Sequence, residues 1–246
     1  MSSAPAHDLT SRLLRRERLV VAVGLALLTL LCWWYLLAGR ANEDGMAAMR
    51  LPPFSALLVM WWLMMVAMML PSAAPAILLY ARVRQIRSRD PGIAETWVFL
   101  AGYIGVWLFF SVAAALAQRL AATSSMMLEN RFAQGTVLLA VGLYQFSPLK
   151  NACLGECRSP AAFISRHWRS GRDGAVLLGV RHGLYCLGCC WTLMVLLFVG
   201  GIMNFLWIVG LTLVVAVEKL TPRGPLIGKV VGVALAAWGI AKLAGY

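Results

Sequence analysis

Apolar residues fill long, uninterrupted runs along this chain, and polar residues gather between the runs rather than alternating within them. A helix needs about 20 such residues to cross a hydrocarbon core. Seven runs reach or approach that length, at about 19–38, 54–80, 96–117, 132–149, 174–199, 202–219 and 226–244. The stretch from 174 to 220 is too long for one helix, and Gly200-Gly201 is the natural break between two tightly connected spans. The fourth run is short and marginal. The pattern therefore predicts an all-α fold: a polytopic integral membrane bundle of about seven transmembrane helices, formed by one domain over 19–246 behind a polar, basic tail over 1–18. The first run exceeds the 7–15-residue core of a cleaved signal. It is followed by Trp33-Trp34-Tyr35 in place of a small-residue cleavage site, so it reads as a retained anchor.

Composition agrees. The chain is 61% hydrophobic and 13% charged, whereas soluble domains are about a quarter charged. A net charge of +12 raises the question of nucleic acid, and the distribution of that charge answers it. With the N-terminus inside, alternate segments hold Arg12, Arg15, Arg16 and Arg18; Arg82, Arg84, Arg87 and Arg89; Lys150, Arg158, Arg166, Arg169 and Arg172; and Lys219 and Arg223. The opposite side holds Arg40, Arg50, Arg119, Arg131 and Lys242. This bias is the positive-inside pattern of seven helices with the N-terminus in the cytoplasm and the C-terminus outside. The basic charge reports topology, with the lipid bilayer as partner and no nucleic acid.

Two connections are longer than the rest. The external one, 39–53, contains Glu43, Asp44 and Pro52-Pro53. The internal one, 150–173, is basic, and from Ser159-Pro160 onward it suits a short amphipathic helix. Phe163, Ile164 and Trp168 would then face lipid headgroups, with Arg166, His167 and Arg169 toward water.

Candidate chemistry concentrates in His182-Gly-Leu-Tyr-Cys186-Leu-Gly-Cys189-Cys190-Trp191, inside the fifth run. Coordinating side chains within a span are costly and so mark function by default. A lone cysteine would simply pack as a small hydrophobe, and Cys32 in the first run reads that way. His182, Cys186 and Cys190 follow one another at i+4, with Cys189 three after Cys186, so all four share one helical stripe. Met194 extends it by a turn. Soft sulfur ligands suit Cu(I); zinc is less suited, because a structural site wants four closed ligands that one helix cannot supply.

Two further segments offer partners. Cys153 and Cys157 are four apart in the internal connection, flanked by Glu156 and Arg158, which predicts accessible thiols. The second run holds Met60, Met64 and Met68 on one stripe, with Met65 and Met69 on the next. Methionine at helical spacing is usually core filler, but five in ten residues also match a thioether ladder. Pro71 and Pro75 just beyond permit a kink. Gly and Ala at 67, 73, 74, 183 and 188 would let the second and fifth spans approach. Glu218-Lys219 reads as an interfacial ion pair, Arg181 as a snorkelling side chain, and Tyr144, Gln145, Ser147 and Asn151 as a polar end of the fourth run.

The segments MMVAMMLPSAAPAILLY (64–80), YQFSPLKNACLGECRSP (144–160), GVRHGLYCLGCCWTLM (179–194) and EKL (218–220) resemble the DUF2182 family of predicted metal-binding integral membrane proteins, sometimes labelled copper chaperones. The resemblance covers roughly 54–220. It implies a metal-binding membrane fold, expected in a bacterial inner (plasma) membrane.

The leading expectation is a non-enzymatic protein that binds Cu(I) at Cys153, Cys157, His182, Cys186, Cys189, Cys190, Met64 and Met68. It would pass the ion to a membrane or exported cuproprotein. The alternatives are a membrane thiol oxidoreductase using Cys186/Cys189 as a CxxC, and a structural assembly factor whose cysteines only pack. Three histidines, His7, His167 and His182, cannot build a multi-histidine catalytic metal centre. There is no nucleotide-binding loop, Ser/His/Asp arrangement or HExxH.

Overall fold

The computed structural model describes residues 4–46, 53–88, 93–120 and 130–245, and every regular element among them is helical. Among the described residues, five stretches are long and apolar enough to cross a membrane: Glu17–Ala38, Phe54–Arg87, Ile93–Leu120, Gly171–Gly200 and Gly224–Ala244. They belong to α1 (Ala4–Met46), α2 (Phe54–Ser88), α3 (Ile93–Leu120), α7 (Gly171–Val195) with the short α8 (Leu197–Gly200), and α10 (Gly224–Ala244). The expected tail and external segment fall largely outside the described side chains, including Arg12, Arg15, Arg16, Glu43, Asp44, Arg50 and Pro52, as does Arg89.

The other two expected spans are shorter than the sequence pattern suggests. The run at 132–149 folds as α4 (Arg131–Tyr144), and that at 202–219 as α9 (Phe205–Leu220). With 14 and 16 residues they are about 21 and 24 Å long, below a core of about 30 Å. Helix-start chemistry cuts them. Ser147 caps a new helix by accepting from the Leu149 N–H, with Pro148 in its first turn, so the run cannot continue as one helix. The break at Gly200-Gly201 is real: Gly201 adopts φ +93°, and Asn204 then caps α9 through the Trp207 N–H.

Pairwise contacts fix the helix directions. Tyr80 stacks on Phe99 while Trp61 Nε1 donates to Gln118 at 2.7 Å, so α2 and α3 are antiparallel. Gly179 lies on the Phe99 backbone and Gly183 on Tyr103 and Val106, so α7 runs parallel to α3. Trp207 reaches the Leu196 carbonyl and Lys219 reaches Cys186, making α9 antiparallel to α7. Trp207 against Trp238, and Glu218 against Gly228, make α10 antiparallel to α9. Gly142 meets Gly232 and Gly135 meets Gly239, so α4 is antiparallel to α10. The expected closeness of Gly183 to the second span is therefore corrected, since α3 occupies that face.

All five methionines of α2 are buried, packed with Trp61, Trp107, Tyr80 and Phe99 in one core. The outer surface carries Leu27, Leu31, Trp34, Phe109, Leu213, Val230 and Ile240, an apolar exterior that water would not favour. Between α4 and α7 the chain forms α5 (Pro148–Arg158) and α6 (Pro160–His167). The predicted amphipathic helix exists, but Phe163 and Ile164 are buried in protein rather than turned to lipid. Phe163 packs against His182 and Tyr185, because those rings on α7 offer a closer apolar surface.

Candidate metal centre

The α7 stripe is buried along its length: His182, Cys186, Cys189 and Cys190 are each 3% exposed or less. The Cys189 and Cys190 thiols donate to the Cys186 carbonyl at 3.1 and 2.8 Å, which is where a protonated thiol rests on a helix. Antiparallel packing of α2 brings Met69 Sδ to 3.7 Å from Cys190 Sγ. Of the five methionines of α2, Met69 is thus the one whose sulfur is hydrogen-bonded by a thiol, that of Cys190. Met68, the next residue, and Met64, about a turn and a half away, are fully buried in the same core.

Two polar groups converge on Cys186. Lys219 Nζ lies 2.9 Å and the Tyr103 hydroxyl 3.1 Å from its Sγ. Lys219 also donates to Ser72 Oγ at 3.3 Å, and Tyr103 to the Met69 carbonyl at 3.4 Å. The expected interfacial pair of Glu218 with Lys219 is corrected by this arrangement. Neighbours on a helix point about 100° apart, so the two side chains leave α9 in different directions. Glu218 instead accepts from Lys150 at 2.8 and 3.0 Å, and Lys150 also donates to Gln145.

The first thiol pair is not an open cytoplasmic site. Cys153 is buried, with its sulfur against Gly188; a Cβ there would sit 2.7 Å from it. Burial pushes the Cys153 thiol up from its ordinary value. Cys157 is half-buried, and its neighbours Cys186 and Cys189, together with burial, push its thiol up from the ordinary value. Packing rather than solvation decides this: α5 folds back along α7, where the missing side chain of Gly188 leaves room. Tyr144 closes the same corner by donating to the Gly188 carbonyl at 2.6 Å.

His182 sits one turn from Cys186 among Phe99, Tyr103 and Phe163, with ring centroids 6.1, 5.7 and 5.3 Å away. Its buried Nδ1 has no hydrogen-bond partner among the described residues. Cys32 packs in the core beside α2, and all six cysteines are free thiols. Lys219, Tyr103 and Ser72 were not assigned to the site from the sequence. The signal for Lys219 was present, since a cation adjoining an apolar run is a functional candidate, but its acidic neighbour suggested self-pairing.

The donor set fits a soft ion. A thiol and a thioether, Cys190 Sγ and Met69 Sδ, stand 3.7 Å apart, and soft sulfur donors of this kind suit a soft cation. Among the described residues no three His, Cys, Asp or Glu side chains already converge on one point. The Cys189 and Cys190 thiols would have to leave the Cys186 carbonyl to coordinate.

Fold and site together define an apolar helical bundle with a buried thiol–thioether cluster. The family PpoB2, copper chaperone, matches residues 58–242, and the chain belongs to that family. No curated protein and no solved structure matches it.

Proposed function

We propose that this protein binds Cu(I) in the membrane through Cys186, Cys190 and Met69, with Cys189, Cys157 and Cys153 close enough to exchange the ion, and hands it to a membrane or exported cuproprotein. The observation that carries the reading is the Cys190–Met69 sulfur pair at 3.7 Å, brought together from two helices. Thiolates bind Cu(I) strongly and thioethers weakly, so a mixed set favours holding and release over permanent storage. The function is binding and transfer without turnover. His182, one turn along and with a buried nitrogen that has no partner among the described residues, is a further stop for the ion.

The bundle would cross a bacterial inner membrane seven times, α4 and α9 included. The support is that α2 opposes α3, α9 opposes α7, and α10 opposes both α9 and α4, as an alternating chain requires.

The test is anaerobic competition against a coloured Cu(I) chelator in lipid nanodiscs. The wild type should bind one ion tightly, Cys32→Ser equally, and a Cys186→Ser/Cys190→Ser variant at least about a hundredfold more weakly. Equal affinity for all three would sink the reading. The Lys219–Cys186 contact also favours a thiol-exchange centre. A Cys186–Cys189 disulfide cycling with substrate, found by mass spectrometry of trapped intermediates, would select that alternative.

A further inference from the structure

Three buried charges lie near the thiols: Lys150, Glu218 and Lys219. The first two compensate each other, since Lys150 and Glu218 are both 2% exposed and joined at 2.8 Å. Lys219 is 7% exposed, and no carboxylate among the described residues pairs with it. Its neighbours are a thiol sulfur and a serine hydroxyl, Cys186 Sγ and Ser72 Oγ. A buried ammonium is costly unless an opposite charge faces it. Here the groups able to supply that charge are the thiols.

Resting on the metal-binding reading above, we infer that Lys219 sets the charge of the ion this cluster accepts. Its ammonium makes a pair of thiolates electrically neutral when they hold a monovalent cation. Two thiolates contribute two negative charges, and Lys219 and Cu(I) contribute one positive charge each. A divalent ion on the same two thiolates leaves one positive charge uncompensated in a low-dielectric site. Neutralising it takes a third thiolate and the loss of a third proton. Discrimination against Zn(II) thus arises from a fixed charge beside the ligands, in addition to the softness of sulfur. The Glu218–Lys150 pair serves this arrangement by engaging the carboxylate that adjoins Lys219 in sequence.

The experiment measures Cu(I) and Zn(II) affinities of the full chain in nanodiscs by chelator competition. Lys219→Met should weaken Cu(I) by about tenfold to a hundredfold, the size expected for losing a charge-assisted contact. It should leave Zn(II) unchanged or tighter, so the Cu(I)/Zn(II) ratio falls at least tenfold. Lys219→Arg, which keeps the charge, should keep the ratio. Ser72→Asp places a carboxylate beside Nζ and neutralises Lys219 without removing it; the ratio should fall as in Lys219→Met. This variant decides the matter if Lys219→Met does not fold. An unmoved ratio in folded Lys219→Met or Ser72→Asp, or an equal fall in Lys219→Arg, overturns the inference while the copper site stands. A wild type that binds no Cu(I) overturns the metal reading itself.

Discussion

Glu218→Gln should be among the most damaging single changes in this bundle, although it replaces few atoms. Both side chains of the Lys150–Glu218 pair are 2% exposed, and both carboxylate oxygens accept from Nζ, at 2.8 and 3.0 Å. The pair ties α5 to α9, and α10 closes over it where a Cβ at Gly228 would sit 2.9 Å from the carboxylate. Removing one partner strands a buried charge, which costs about 3–5 kcal/mol. For a chain of this size that corresponds to about 6–20 °C in the unfolding midpoint. Lys150→Met strands the carboxylate and should cost a similar amount. The double variant Lys150→Met/Glu218→Leu removes both charges and keeps most of the volume, so it should cost about 1 kcal/mol or less. Thermal unfolding in detergent, followed by intrinsic fluorescence and size exclusion, reads all three, and their difference is the coupling energy. If the single variants each lose under about 1 kcal/mol and their effects simply add, the pair is solvated and the reasoning fails.

Further outcomes follow from the same contacts. Gly179→Ala would push a methyl group into the Phe99 carbonyl and should cost about 1–3 kcal/mol or more by separating α3 from α7. Gly105→Ala meets nothing within 4 Å and should be neutral or stabilising by up to about 1 kcal/mol; equal effects in a thermal assay would refute the packing described. Met69→Leu should weaken Cu(I) binding by roughly tenfold, because one sulfur donor is lost while the volume is kept, whereas Met64→Leu and Met68→Leu should leave it unchanged. Chelator competition checks this, and an equal loss in all three would restore the ladder reading. Tyr103→Phe keeps the ring packing and removes the hydroxyl from Cys186, costing about 1 kcal/mol in stability by the same unfolding assay.

The amino-acid sequence by itself determined that the chain is helical, apolar on its outside, broken at Gly200-Gly201 and marked by a histidine–cysteine stripe on one helix. Those are properties of composition and of the 3.6-residue period, which act over a few turns and need no partner helix. It also held the caps that shorten α4 and α9, but Ser147-Pro148 and Asn204 are small signals inside long apolar runs. What only the tertiary structure decided is which side chains meet. Met69 rather than Met64 or Met68 reaches a thiol because helix direction and rotation choose one face of α2. Cys153 is buried because α5 folds onto Gly188. Glu218 and Lys219, adjacent in sequence, serve different partners because successive side chains diverge by about 100°, and the low dielectric of the interior makes each charge seek its own match.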